Sequence, residues 1–369
     1  MKVCHLGKYY PPARGGMEAH VQTLSQGQAK LGWDVEVICS NFEPGTHQDR
    51  DGPVSVTRLG RSFSIAKLDW CARLTWHLRQ IQADLIHVHV PNPTMILGLF
   101  SAWPDVPVVV TYHSDHVRQQ VLRRLFRWVE HKFYPKVRAI LATSPAYSGG
   151  STLLNHYRER VQVVPLGIEL DVFLQPTAAV LKQAEELKQH YPGPLWLCCG
   201  RLVSYKALHL AVAALADVPG TLFMVGHGPL QRDLERQAEK LGVRSRVEFL
   251  PGVEDVTPFY HAATALWFPS NARSEAFGLV QVEAMASGCP VINAEIPHSG
   301  VPWVCPHEET GLTIPLNDSA ALAQAAQRLL AEPELRQRLA SAGRVRARQE
   351  FAAEKMVQRT LEVYDDVLS

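Results

Sequence analysis

The 369-residue sequence lacks several patterns that mark particular classes of protein. Its 37 Lys and Arg residues balance 36 Asp and Glu residues, so bulk charge favours neither nucleic acid nor a strongly acidic partner. No apolar run reaches about 18 residues, and the run at Met1–Leu6 is too short for a signal peptide. Internal repeats and low-complexity segments are also absent. We therefore expect a cytoplasmic protein without a membrane span or a nucleic-acid partner.

Paired cysteines are missing as well, because none of the seven lies in a Cys-x-x-Cys spacing that binds a metal or forms a redox pair. Most lie in apolar runs, which predicts reduced, buried thiols. Apolar residues make up 46% of the chain, enough for the cores of two domains of ordinary size. The seven are Cys4, Cys39, Cys71, Cys198, Cys199, Cys289 and Cys305.

The most informative stretch is 274–290, Ser-Glu-Ala-Phe-Gly-Leu-Val-Gln-Val-Glu-Ala-Met-Ala-Ser-Gly-Cys-Pro. It predicts a loop and a helix from about 277 to 286, between apolar strands at 265–270 and 290–293. A helix that begins at the carboxyl ends of parallel strands is a common ligand site in α/β sheets. The backbone N–H groups of Phe277, Gly278 and Leu279 would suit an anion there.

Two carboxylates bracket this predicted anion site. Glu275 precedes the helix and Glu283 lies inside it, and eight helical steps leave them roughly 80° apart in azimuth. Both can then face one ligand at different heights, where acceptor-only carboxylates suit sugar and ribose hydroxyls. The alternative is that Glu275 complements the helix dipole and Glu283 is solvated. The spacing alone supports both interpretations equally.

Two further loops follow strands in the same way. Gly15 and Gly16 place bare backbone before a helix, which suits either a phosphate or a plain tight turn. Arg201 ends a strand, and Lys206 lies five residues on in the predicted first turn of the next helix. An Arg can bind a diphosphate bidentately and a Lys adds a mobile charge. Two ordinary surface cations are the alternative.

Three other features carry weaker signals. Asp49 and Asp51 spell Asp-x-Asp, but they lie in a polar loop predicted at 43–53, so we interpret the match as chance. His113 follows the carboxyl end of a strand at 106–111, where a histidine is often only a polar loop residue. Helix 117–138 carries seven basic residues against one acid, which indicates either a solvated face or attraction to anionic lipid.

The 274–290 stretch, with Glu-x7-Glu inside it, resembles the signature of family 4 retaining glycosyltransferases of GT-B fold. Matches at Pro11–Gly16 and Gly200–Lys206 extend the resemblance over nearly the whole chain. It implies two Rossmann-like α/β domains facing a cleft. We expect an acceptor-binding domain at 1–170, a nucleotide-sugar-binding domain at 171–352, and a C-terminal helix at 353–369 that packs back on the first domain.

The resemblance also implies roles for residues. Glu275 would contact hydroxyls of the donor sugar, Glu283 the ribose, and Gly15 and Gly16 the donor phosphates and sugar. His113 would lie beside the reacting sugar, with Asp115 and His116 as weaker candidates. Gly252 and Val253 would hold the nucleobase through backbone groups. With Arg201, Lys206 and the N–H groups near Gly278 on the diphosphate, neither metal nor cofactor is required.

Four positions depart from the family pattern. Leu166 stands where Asn is usual before Gly, Ala207 where Gly ends the Arg/Lys motif, His227 where Asp is frequent, and Trp303 where many relatives have Glu. The exchange at Ala207 alters helix-start packing but leaves both cations. The sequence assigns no role to His227 or Trp303.

The run Tyr-His-Ser-Asp-His-Val-Arg-Gln at 112–119 resembles bacterial mannosyl- or rhamnosyl-type transferases of polysaccharide assembly. GDP-mannose is therefore the expected donor, with UDP-glucose or UDP-N-acetylglucosamine second, and a glycan or polyprenyl-linked glycan the acceptor. Helix 117–138 would bring the protein to the inner face of the plasma membrane. A sugar-nucleotide epimerase and a non-catalytic binding subunit are the alternatives, and the sequence determines neither linkage nor oligomeric state.

Overall fold

The computed structural model describes residues 1–13, 15–65, 68–71, 73–115 and 128–369. The chain divides into two compact units. Unit 1 comprises Met1–Ile168 and Ala353–Ser369, and unit 2 comprises Glu169–Ala352. Among the described residues, no helix combines the length and apolar character needed to cross a bilayer. All seven cysteines are free thiols, and six of them are buried.

Unit 1 is built on an eight-stranded sheet in the order β10-β9-β8-β7-β1-β2-β4-β3. All neighbours pair in parallel except β3 and β4. β7 and β8 are buried along their whole length, as expected of parallel strands covered on both faces. The strands are β1 Lys2–Leu6, β2 Asp34–Ser40, β3 His47–Asp51, β4 Val54–Leu59, β7 Leu85–Val90, β8 Val108–Tyr112, β9 Ala139–Ala142 and β10 Val161–Val163, with a separate hairpin of β5 Phe63–Ile65 and β6 Leu68–Trp70.

Helices cover the unit 1 sheet, and the last helix of the chain belongs to this unit. Ala353–Leu368 packs against Gly16–Lys30, where a Cβ at Gly27 would collide with the side chain of Val357. Met356, Val357 and Tyr364 lie in the same buried cluster as Val3 of β1. The α-helices of unit 1 are Gly16–Lys30, Leu74–Arg79, Pro93–Ser101, Pro145–Gly149, Thr152–His156 and Ala353–Leu368, and residues 128–133 are also helical.

Unit 2 is built on a six-stranded, all-parallel sheet in the order β13-β12-β11-β14-β15-β16. The strand order reverses between β11 and β14, which is the arrangement of the doubly-wound dinucleotide-binding fold. The strands are β11 Leu195–Cys199, β12 Thr221–Val225, β13 Val247–Leu250, β14 Ala265–Phe268, β15 Val291–Ala294 and β16 Gly311–Ile314. The α-helices are Asp171–Leu174, Ala178–His190, Leu208–Ala214, Gln231–Lys240, Thr257–Ala262, Leu279–Ser287, Val301–Val304, Ser319–Ala331 and Pro333–Glu350.

The structure corrects three predicted elements. The segment around Asp49 is not a loop but strand β3, which pairs with β4. The helix predicted from Phe277 begins at Leu279, because Gly278 is left-handed and lies before it. Lys206 lies in a 3₁₀ turn, Ser204–Lys206, and not in the next helix.

The first half of the predicted basic helix 117–138, residues 117–127, lies outside the described residues, which resume at residue 128. His116 is also outside them. The membrane prediction for that helix therefore rests on its sequence.

Candidate active site

The candidate site in unit 2 lies at the topological switch point of its sheet. The loop after β11 begins at Gly200, and the loop after the neighbouring strand β14 leads through Glu275 to the helix Leu279–Ser287. Open α/β sheets bind ligands at the carboxyl ends of the strands where the order reverses. Two motifs that are far apart in the sequence therefore meet at the expected edge.

Lys206 and Glu275 form the closest charged contact at this edge. The Nζ of Lys206 lies 2.5 Å from Oε2 of Glu275, and each side chain keeps 12% of its surface exposed. The ammonium also lies 4.7 Å from the ring centroid of Phe268. Ser299 fixes the backbone of Glu275 by donating from Oγ to its carbonyl over 2.5 Å. Both charges are thus held in a largely desolvated position, where electrostatic interactions are stronger than in water.

Arg201 takes a different position from Lys206. Its side chain is exposed, and its Nη2 donates to the hydroxyl of Tyr205 over 3.2 Å. Its backbone belongs to a fixed loop, since Leu202 N–H donates to the carbonyl of His227 over 3.0 Å. The guanidinium therefore stays accessible to an anion while its loop is anchored.

The helix Leu279–Ser287 presents a bare N-terminus beside the ion pair. Gly278 precedes it with φ 78° and ψ 70°, and no side chain among the described residues caps it. A Cβ at Gly278 would lie 2.8 Å from Cζ of Phe268, so both the dihedral angles and the space require glycine. Phe277 is only 3% exposed and packs edge-on against Phe351. Leu279 lies at the first helical position, where backbone N–H groups are unpaired and suit an anion.

Glu283 lies one turn into this helix and bonds to a residue that the sequence did not single out. The hydroxyl of Tyr260 donates to Oε2 of Glu283 over 2.6 Å. Burial raises the pKa of Glu283, while the Tyr260 hydrogen bond and the Lys206 charge oppose that rise. Tyr260 itself is 1% exposed. The contact orients the carboxylate and leaves it with free acceptor capacity, because a carboxylate has two oxygens with several lone pairs.

The remaining candidates of unit 2 lie on loops around this edge. Gly252 has φ 79° and lies with Val253 in the turn after β13, the edge strand. His227 is exposed. The structure gives Trp303 a packing role, since its ring contacts Phe277 and Phe351. The guanidinium of Arg346 lies over the Trp303 ring, 5.3 Å from the ring centroid. Trp303 is part of the packing behind the helix start.

In unit 1, Gly15 and Gly16 lie at the start of the helix Gly16–Lys30, as the sequence predicts. A Cβ at Gly15 would collide with the carboxylate of Glu18. That carboxylate is the far end of a flexible side chain and can move aside, and the dihedral angles of Gly15 are extended (φ 171°), so neither space nor backbone conformation requires glycine at this position. It remains a candidate phosphate loop with one acid folded over it.

His113 follows β8 directly, and its backbone N–H donates to the carbonyl of Val90 over 2.9 Å. Burial lowers the pKa of His113 to about 3, so its imidazole is neutral at neutral pH. The side chain of Asp115 has a structural role, because its Oδ1 accepts from Tyr112 over 2.9 Å and from Ser151 over 3.2 Å. Asp115 thus anchors the loop that carries His113.

Asp49 and Asp51 are both bound to protein donors. Asp49 pairs with Arg58 at 3.0 Å. Asp51 accepts from Tyr10, Gln22 and Gln26, each over 2.8 Å. These contacts fix strand β3 to the body of unit 1.

Sequence reasoning missed Tyr260, and it missed the histidines around His113. Nothing in the segment 257–262 marks Tyr260 as a partner of Glu283. The histidines did leave a signal, since the alternation in Leu-Ile-His-Val-His-Val places two imidazoles on one face of a buried strand. A polar residue repeated in that way within a core strand needs partners.

Two family models match the chain. The model described as Glycosyltransferase Family 4 matches residues 14–172, and that described as Glycosyl transferases group 1 matches residues 182–346. D-rhamnosyltransferase WbpZ of Pseudomonas aeruginosa is 33% identical over 358 residues, which cover 96% of this chain and 93% of that protein. The chain belongs to glycosyltransferase family 4. The predicted family is thereby confirmed.

A second relative resembles the chain over its whole length, and two solved structures resemble its fold. O-antigen chain mannosyltransferase C of Escherichia coli is 31% identical over 378 residues, which cover 100% of this chain and 99% of that protein. Sucrose-phosphate synthase from Thermosynechococcus elongatus superposes with a TM-score of 0.82 at 23% identity, covering 99% and 98% of the two chains. Anabaena HepE, solved with UDP-glucose, superposes with a TM-score of 0.80 at 20% identity, covering 99% of this chain and 100% of that chain. These likenesses confirm the GT-B fold.

Proposed function

We propose that this family 4 glycosyltransferase moves a mannosyl residue from GDP-mannose to a glycan or polyprenyl-linked glycan, with retention at the anomeric carbon, in polysaccharide or glycolipid assembly. Its full-length relatives carry the names of a D-rhamnosyltransferase and an O-antigen mannosyltransferase. The observation that carries the proposal is the Lys206–Glu275 pair beside the bare helix start at Gly278. That arrangement combines cation, carboxylate and backbone N–H groups, which are the groups a nucleotide sugar needs.

Departure of the nucleoside diphosphate places growing negative charge on its phosphates. Lys206, the exposed Arg201 and the N–H groups of Phe277, Gly278 and Leu279 stabilise that charge in this proposal. No metal is required, because fixed cations and backbone dipoles supply the stabilisation. The leaving phosphate helps to accept the proton of the acceptor hydroxyl, since no general base stands out.

The carboxylates hold the rest of the donor. Glu275 accepts from hydroxyls of the transferred sugar, and its contact with Lys206 links sugar orientation to diphosphate binding. Glu283, oriented by Tyr260, accepts from the ribose hydroxyls. Gly252 and Val253 contact the nucleobase through their backbones. Gly15 and Gly16 of unit 1 approach the phosphates and sugar, and neutral His113 bonds to the reacting sugar.

A panel of donors tests the proposal by thermal shift. A donor present at 100 times its dissociation constant stabilises the fold by about 2.7 kcal/mol. We expect GDP-mannose to raise the melting temperature at lower concentration than UDP-glucose or UDP-N-acetylglucosamine. GDP release that depends on added acceptor would then distinguish transfer from epimerisation. A response to UDP-sugars alone would contradict GDP-mannose, and donor binding without turnover would indicate a binding subunit.

A further inference from the structure

Five histidines of unit 1 form one buried cluster. His5 lies on β1, His87 and His89 on β7, His20 on the helix Gly16–Lys30, and His113 after β8. Strand pairing brings them together, since His5 is in register with His87. The rings of His87 and His89 stack at 4.4 Å, and those of His20 and His113 meet edge-on at 4.7 Å. Except for His113, each is at most 4% exposed.

Three of these rings form a hydrogen-bonded chain that starts from an amide. Gln28 Oε1 lies 2.7 Å from His5 Nε2. His5 Nδ1 lies 3.0 Å from His89 Nε2. His89 Nδ1 lies 3.4 Å from His113 Nε2, which makes this last contact the longest of the three. The chain thus runs from a helix residue, through two strands, to the loop residue assigned to the sugar.

The direction of this chain depends on the orientation of the amide at its start, whose Oε1 faces His5 while its Nε2 has no hydrogen-bond partner among the described residues. An amide oxygen only accepts, and a neutral imidazole donates through one nitrogen and accepts through the other. With Oε1 of Gln28 as acceptor, His5 donates from Nε2 and accepts at Nδ1. His89 then donates from Nε2 to His5 and accepts at Nδ1. His113 must donate from Nε2 to His89.

We propose that Gln28, His5 and His89 are positioning residues that hold His113 as its Nε2–H tautomer, so that its Nδ1 accepts a hydrogen bond from a sugar hydroxyl. The assignment of the tautomer rests on the structure alone, and the role toward a hydroxyl rests on the proposed function. A fixed acceptor nitrogen matters because a ring in the other tautomer would present a donor at Nδ1. A sugar hydroxyl can also accept, so the wrong tautomer would permit a differently oriented contact.

A metal ion is the competing explanation, since two trios of these rings bring ligand nitrogens within 4.8 Å: His5, His87 and His89, and His20, His89 and His113. In the first trio, His5 is already bonded through both nitrogens. His87 bonds Tyr364 at 2.5 Å and Thr111 at 2.7 Å. In the second, only His20 has both nitrogens without a hydrogen-bond partner among the described residues. A metal would have to break the chain at His89, so the hydrogen-bonded chain is favoured.

Nuclear magnetic resonance of the protein labelled with ¹⁵N in its histidine rings tests the tautomers directly. The ring ¹⁵N shifts distinguish a protonated from an unprotonated nitrogen, and single substitutions assign each ring. We expect His5, His89 and His113 all to be protonated at Nε2 and unprotonated at Nδ1 at neutral pH. Protonation of any of the three at Nδ1 overturns the proposal.

Three variants separate positioning from general stability. His89→Leu removes the acceptor, so the Nε2–H signal of His113 should lose its protection from water exchange, and kcat should fall about 10- to 100-fold with donor KM little changed. His89→Asn places an oxygen near the former Nδ1, so it should restore most of the protection of the His113 signal and most of kcat. His87→Leu, the matched control in the same stack, should leave the His113 signal and kcat unchanged. Loss of the His113 signal in the His87 variant would contradict the chain.

Two further outcomes are informative. Stoichiometric zinc in the purified protein that disappears in His20→Ala would establish a metal site and overturn the proposal, whereas metal-free protein supports it. Full activity of His113→Ala would refute its role toward the sugar in the proposed function. The tautomer measurement needs no substrate, so it succeeds or fails independently of that role.

Discussion

The ammonium of Lys206 and the carboxylate of Glu275 lie 2.5 Å apart, although they come from loops that follow different strands. In the proposed mechanism one binds the diphosphate and the other the sugar. Their contact means that neither can change without leaving the other as an unpaired, largely buried charge. Diphosphate binding and sugar binding are therefore coupled through one ion pair.

We expect Lys206→Ala to lower kcat by about 10²–10³, as for other preorganised electrostatic donors. Glu275→Ala should also lower kcat, since it contacts the reacting sugar. Because the residues interact, the double variant should lose less than the sum of the two effects in free-energy terms. Steady-state kinetics on the three variants measures this. Lys182→Ala, which removes an exposed lysine paired with Glu186 at 3.8 Å, is the control, and strictly additive losses would contradict the coupling.

Glu283→Gln should raise donor KM and leave kcat nearly unchanged, because ribose contacts are alike in the ground and transition states. A fall in kcat at constant KM would contradict the ribose assignment. Glu239→Gln, at an exposed position of the same unit, provides the control.

The same variant should be more stable than the wild type at neutral pH. The pKa of Glu283 is raised in the fold, mainly by burial, so its ionised form costs stability above the ordinary Glu pKa of about 4.3. That cost falls as the pH drops below the raised folded pKa, and it disappears below the ordinary value. Melting temperatures from pH 7.5 to 4.5 should therefore show a gain for Glu283→Gln that narrows with acidification. A constant gain would point to packing instead.

Chelation should leave the transfer rate nearly intact, since Lys206, Arg201 and backbone N–H groups cover the diphosphate in the proposed mechanism. The measurement is turnover with and without EDTA after dialysis. A transfer rate that vanishes with EDTA and returns with Mg²⁺ or Mn²⁺ would contradict the proposal that no metal is required. Asp49 and Asp51 would then have to exchange their protein donors for an ion.

We propose peripheral contact with the inner face of the plasma membrane through the basic segment 117–138. It should bind anionic liposomes and release them at high salt, because surface charges are screened within about 10 Å at 0.1 M salt. Reversing Arg123, Arg124 and Arg127 to Glu should abolish cosedimentation and spare donor binding. Reversing two arginines of a unit 2 helix, Arg232 and Arg236, is the control for charge reversal elsewhere on the protein. Wild-type cosedimentation of the triple variant would show that the segment is only a solvated face.

The sequence predicted the buried parallel strands well, because short, nearly continuous apolar runs such as β11 and β12 are typical of strands that are covered on both faces. It failed at β3, whose polar residues His47–Asp51 pair with β4 as an edge strand and are mostly exposed. A half-solvated edge strand has no apolar pattern to detect. The start of the helix at Leu279 was misjudged by two residues, since Gly278 is left-handed (φ 78°) and precedes the first helical residue.

The candidate site was predictable as a set of residues but not as a set of contacts. Motifs identified Arg201, Lys206, Glu275 and Glu283, and the strand order brings their loops to one edge. Which cation pairs with which acid depends on side-chain positions that no periodicity records. The Tyr260 hydrogen bond to Glu283 belongs to the same category, because it joins a separate helix to the site.

The helix Ala353–Leu368 completes the core of unit 1, whose other segment ends at Ile168. Ala353 N–H donates to the carbonyl of Ile168 over 3.0 Å, and Tyr364 reaches His87 in the middle of the sheet. During translation the first 168 residues leave the ribosome before the residues that cover them, and all of unit 2 is made in between. Although domains generally fold in the order of synthesis, unit 1 can complete its core only after residues 353–368 are made. Unit 1 is therefore begun before unit 2 and completed after it.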